Sequence, residues 1–124
     1  MRIAVPIIVL SHRVLELLAK EDLDLTAVAH ITALLGNMND FAAFNQIYST
    51  MFGTSPPARA CVAVDLPQSH SIVLECIAYK STATSDRQAL HVQGISYWAP
   101  ANIGPYSQAI SASHSSSYSF FSNR

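Results

Sequence analysis

Residues 39–52, NDFAAFNQIYSTMF, set Phe41, Phe44, Tyr48, Met51 and Phe52 at three- and four-residue steps, which gives a helix one wide aromatic face. Asn37 or Asn39 can cap its first turn, and Asp40 stands close to the positive end of the helix dipole. So bulky a stripe needs an apolar layer to lie on, and the next residues supply one. GTSPP (53–57) stops the helix; ARACVAVDL (58–66) and SIVLECIAY (71–79) then read as two strands. The short connection PQSH predicts an antiparallel hairpin, with Leu66 opposite Ser71 and Cys61 opposite Cys76. In that register Arg59 and Glu75, the charged residues well inside the two strands, face opposite sides of the sheet. Asn45 lies on the aromatic face of the helix, where its amide must find hydrogen bonds, whether as a structural pair or as part of a site.

Upstream, TAVAHITALL (26–35) is β-branched and apolar and stops at Gly36-Asn37, as a buried strand does. Residues 12–20 carry Val14, Leu15, Leu17 and Leu18 on a helical stripe, with Glu16 and Lys20 as a favourable pair four residues apart. The start, MRIAVPIIVL, reads as a buried strand over about 3–10 or as sequence foreign to the fold. The expected class is α+β: a mixed or antiparallel sheet from 26–36, 58–66 and 71–79, joined by 3–10 or 89–98, with helices 12–20 and 39–52 covering one face.

Downstream, KSTATSDRQ (80–88) is a polar linker and ALHVQGISYW (89–98) a further short strand. In SYWAPANIGPYSQAI (96–110), Pro100, Gly104 and Pro105 fix a bent, extended path flanked by Tyr97, Trp98 and Tyr106. The final SASHSSSYSFFSNR (111–124) is serine-rich, of low complexity, and expected to fray.

The 124 residues are 50% hydrophobic and 12% charged, enough for the core of one small domain or pieces of two. A net charge of −1 gives no electrostatic reason to expect nucleic acid or an anionic membrane as partner. The apolar run at the start is too short to span a bilayer, and a cytoplasmic location is the expectation. Cys61 and Cys76 fall in apolar runs and read as buried free thiols. The five histidines show no metal-ligand spacing, so no metal site is expected.

NMNDFAAFNQIYSTMF, PPARACVAVDLP and ECIAY together resemble the second half of a unit of the reactive intermediate deaminase family (Rid, or YjgF-like), over about residues 12–80. In that family the unit opens with a segment similar to PANIGPYSQAI, which here follows the second half. The order resembles a tandem: 1–11 outside the family pattern, 12–80 closing one unit, 81–90 a linker, 91–110 opening a second unit, and 111–124 a disordered tail. LHVQGISYWAPANIGPYSQAI is similar to the junction of such tandem units in the C-terminal region of the eukaryotic diphthine–ammonia ligase family. That resemblance implies a fragment of a larger protein. Ligation in that family uses ATP in a separate N-terminal domain, and no phosphate-binding loop is seen in this sequence, so no cofactor is expected in this chain.

The resemblance also implies site residues and an oligomer. Rid enzymes hydrolyse enamines or imines at sites between the subunits of a trimer, with an arginine on the substrate carboxylate. Arg59 matches that arginine, Cys61 and Asn45 match residues near the same pocket, and Tyr106 matches the tyrosine of the opening motif. The family carries two glutamates two residues apart; Glu75 matches the second, while the first, which holds the attacking water, is Val73 here. Valine can neither orient water nor accept a proton. Three functions follow: a non-catalytic Rid-like region serving assembly or small-anion binding, a free-standing deaminase, or a structural oligomerisation module without ligand. The expected partners are copies of the chain or a neighbouring unit, and a small carboxylate.

Overall fold

The computed structural model describes residues 4–67, 69–81, 86–92, 94, 104–113 and 117–122. Helix α1 runs Ala4–Lys20 and so absorbs the segment read from sequence as a strand over 3–10. A continuous apolar run carries no period of its own, and here it extends the helical stripe that follows it. Pro6 lies in the first turn, where a missing N–H has no carbonyl to lose. Leu18 is buried at the far end of α1, and Val14 packs against the same core.

After a short 3-10 turn at Leu25–Ala27, strand β1 (Val28–Leu35) crosses the middle of the molecule. Helix α2 (Phe41–Tyr48) follows and ends four residues before the sequence pattern does. The hydroxyls of Ser49 and Thr50 bond back to the carbonyls of Gln46 and Ile47, an alternative to further helical bonds. Strand β2 (Ala58–Ala63) returns parallel to β1, and β3 (Ile72–Ala78) runs antiparallel to it.

The sheet order is β2-β1-β3, so the expected hairpin of 58–66 with 71–79 does not form. β1 takes the place between them. It carries the fully buried Ile31, Ala33 and Leu35, and only a central strand shields both of its edges. The loop that follows β2 is tied to the end of β1 instead: Val64 N–H donates to Leu35 O (2.9 Å) and Gly36 N–H to Ser71 O (2.9 Å). Cys61 stands opposite Ala33 and Cys76 opposite Ile31, on strands that are not neighbours, which removes the cross-strand cysteine pair. The separation of Arg59 and Glu75 holds: Arg59 pairs with Ile31 and Glu75 with Thr32, the next residue along, so the two point to opposite faces.

A second sheet, β4-β5-β6, is built from Arg87–Leu90, Ala109–Ser113 and Ser117–Phe121, all antiparallel. β4 begins inside the presumed linker. Residues 95–98 of the expected strand, including Tyr97 and Trp98, lie outside the described residues. The serine-rich tail supplies β6 and part of β5 rather than fraying. It pairs with β5 in antiparallel register, with Tyr118 opposite Ala112 and Phe120 opposite Ile110.

The two sheets meet at the outer edge of β2. Ala58 bridges Ser107 in parallel fashion, Ser107 N–H donates to Pro57 O (3.1 Å), and Ala29, Ala58 and Ile110 are fully buried together. Helices α1 and α2 cover one face of the first sheet over a core of Ile31, Leu35, Phe44, Tyr48 and Ile72. The other face is more open, with Val62 37% and Ile77 48% exposed. Among the described residues no helix is long and apolar enough to cross a membrane.

Phe44 sits in the centre of that core with no exposed surface. Phe44→Ala is expected to lower stability by about 3–5 kcal/mol, read from urea unfolding, whereas Ala at exposed Gln46 of the same helix is expected to stay within about 0.5 kcal/mol of wild type.

Candidate functional site: a caged arginine between two sheets

The helical period of 41–48 places Phe41, Phe44, Asn45 and Tyr48 on the face of α2 that lies over β2. Arg59, the second residue of β2, points up into that face and is only 2% exposed. Its guanidinium carbon lies 5.6 Å from the ring centre of Phe41, 5.3 Å from Phe44 and 4.8 Å from Tyr48. The fourth wall is Tyr106, 5.0 Å away, from the segment that leads into β5. Each ring offers its negative face to the cation. Asn45 completes the cage: its Oδ1 accepts from Arg59 Nη1 at 2.8 Å.

Burial lowers the hold of Arg59 on its proton, while Tyr48, Cys61 and Tyr106 act in the opposite sense. Guanidinium remains charged under such opposition. Burial pushes Tyr48 far above the usual phenol range, and its buried hydroxyl has no hydrogen-bond partner among the described residues. Burial also raises Cys61, with the Arg59 charge pulling the other way, so this thiol is a protonated wall residue and not a thiolate nucleophile at neutral pH.

The backbone around Arg59 is tied to the second sheet as well. Arg59 N–H donates to Ser122 Oγ at 2.6 Å, and the same hydroxyl donates to Ser107 O at 2.6 Å. Ser107 in turn donates from Oγ to Pro56 O. Gly104 approaches so closely that a Cβ there would meet Arg59 Nη2 at 3.0 Å and the Tyr106 ring at 3.2 Å. A side chain here would have to push the guanidinium or the ring aside by a few tenths of an ångström.

Of the residues marked from sequence, the structure gathers Arg59, Asn45, Cys61 and Tyr106 and leaves Glu75 out. Glu75 and Val73 share the face turned away from the helices, opposite Thr32 and Leu34. On the Arg59 side, β3 presents Cys76 and Leu74 instead. The aromatic cage was visible as a periodicity but read as core packing. Gly104 and Ser122 are further site residues; Ser122 carried no signal, since nothing marks one serine among many.

A profile of the endoribonuclease L-PSP family matches residues 9–80. The chain belongs to that family. Rid and YjgF-like proteins are its members, in agreement with the likeness read from sequence. Diphthine–ammonia ligase from Schizosaccharomyces pombe is 51% identical over 86 residues, which cover 68% of this chain and 14% of the ligase. The 2-iminobutanoate/2-iminopropanoate deaminase of Rattus norvegicus is 39% identical over 71 residues, 56% of this chain and 52% of that protein. Among solved structures, yeast Mmf1 superimposes with a TM-score of 0.52 at 35% identity over 55% of each chain. The chain thus spans about one-seventh of the ligase and half of the deaminase.

Asn45→Ala would leave the guanidinium without its described hydrogen-bond acceptor. Removing an acceptor from a buried charged donor costs about 1.5–3 kcal/mol. Urea unfolding is expected to report a loss in that range, and a loss below about 0.5 kcal/mol would show that the bond carries no weight.

Proposed function

We propose that this chain is part of the Rid-like region of a protein of the diphthine–ammonia ligase type, and that it assembles units without catalysing deamination. One observation carries the reading: the cage of Arg59 is closed by Tyr106, so the group that would hold a substrate carboxylate is occupied by the opening motif of the next unit. Deamination needs a carboxylate to position and deprotonate water, and no glutamate of β3 faces Arg59. The identity with the ligase over 68% of this chain supports the parent protein, whose ATP-dependent chemistry would belong to a separate domain. The partly open sheet face around Val62 and Ile77 supports association with further copies or units, a trimer on the pattern of the family.

A second reading, small-carboxylate binding, is favoured by one feature. The described partners of this buried cation are an amide oxygen and four rings, and a carboxylate would compensate it better than either.

The test is ammonia release from freshly generated 2-aminoacrylate. No release above the buffer rate is expected; release that disappears in Arg59→Ala would establish a deaminase and overturn the proposal. In the same preparation, a rise in Tm with millimolar pyruvate that is lost in Arg59→Met would replace assembly by carboxylate binding as the role of the cage.

A further inference from the structure

The two edges of the first sheet differ. Ser107 and Ser122 cover the outer edge of β2, whereas among the described residues β3 pairs with β1 alone. Two bonds show which backbone groups of β3 are left over. Gly36 N–H donates to Ser71 O and Tyr79 N–H donates to Ala27 O, so Ser71 and Tyr79 turn their backbone toward β1. Antiparallel bonding alternates along a strand. The N–H and C=O groups of Ile72, Leu74, Cys76 and Ala78 therefore point outward. Ile72 is buried, but Glu75, Cys76 and Ile77 are exposed in unbroken succession. Neighbours in a strand point to opposite faces, so such exposure leaves both faces and the edge uncovered there. No proline or lysine guards the strand, and its one charged residue is Glu75.

An edge with a donor and an acceptor at every second residue is complementary to itself. A two-fold axis normal to the sheet sets β3 antiparallel to β3 of a second copy and joins the two sheets into one. Outward residues must face outward residues, and registers centred on Leu74, Glu75 or Cys76 do this while keeping most of the strand paired. Centring on Glu75 sets two carboxylates directly opposite, which is unfavourable. Centring on Leu74 puts the half-buried Val73 and Leu74 in the middle and leaves the exposed Ile77 outside the strand overlap. Centring on Cys76 uses the exposed stretch itself. Ile77 then lies opposite Glu75 of the second copy, Leu74 opposite its Ala78, and the two Cys76 residues face each other. A net charge of −1 leaves little long-range repulsion between copies.

We infer that β3 is a dimerisation edge, pairing antiparallel with β3 of a second copy about a two-fold axis at Cys76. The partner is recognised by backbone hydrogen bonds, with the Ile77–Glu75 contacts, made twice by symmetry, setting the register. This pairing depends neither on the Arg59 cage nor on the parent protein proposed above.

Sedimentation equilibrium of the 124-residue chain reads both mass and dissociation constant. A reversible dimer of the 13.4 kDa chain is expected; a monomer or a trimer at every concentration overturns the inference. Ile77 is 48% exposed and can change without opening the core. Ile77→Glu sets like charges opposite each other twice per dimer, and Ile77→Lys sets opposite charges there. The lysine variant is expected to dimerise at least about tenfold more tightly than the glutamate variant. Equal weakening in both would reveal an unspecific apolar contact and overturn the register. Facing residues of a bonded pair lie about 5.5 Å apart between Cα atoms, within reach of a disulfide. Diamide, which takes up the two electrons and two protons of two thiols, is expected to link the copies through Cys76. Cys76→Ser is expected to abolish the link and keep the dimer. No link, or a link through Cys61, would contradict an axis at Cys76.

Discussion

The structure is organised around one awkward object, a guanidinium buried between two sheets. Stripping a cation of water costs several kcal/mol unless other groups replace the water. Here the replacement is distributed over four rings and one amide, four of the five from α2 and the fifth from Tyr106. The position of α2 over β2 and the approach of the second sheet are therefore one problem with one solution. Phe44 and Tyr48 do double duty, since they share the buried core with Ile31 and Leu35 and also stack against the cation, and Phe41 packs on that core beside them.

The backbone repeats the same logic at the edge of β2. An exposed strand edge invites uncontrolled pairing. Ser107 and Ser122 cover the edge at Ala58 and Arg59 with short bonds, and Gly104 lets the chain pass within contact of the guanidinium. The segment that carries Tyr106 thereby closes the cage around Arg59.

Local features were legible in the sequence and long-range ones were not. The face of α2 followed from the spacing of Phe41, Phe44, Asn45 and Tyr48, and the opposition of Arg59 and Glu75 followed from strand alternation, which survives any choice of partner. Strand order did not follow. PQSH made a hairpin the cheapest local guess, yet β1, with its fully buried residues, held the more exacting claim to the centre. The first ten residues misled because an unbroken apolar run has no period. The tail misled because its composition suggests disorder, whereas its strand is defined by pairing with β5, a contact that composition does not register.

The central claim is that Arg59 and Tyr106 interact energetically across the junction of the two sheets. A double-mutant cycle measures this directly, using Arg59→Met, Tyr106→Leu and the pair, each unfolded in urea. A desolvated cation on a ring face predicts a coupling of about 1–2 kcal/mol. Additive effects, within about 0.3–0.5 kcal/mol, would mean that the two residues merely adjoin, and the account of a caged arginine holding the two sheets together would fall.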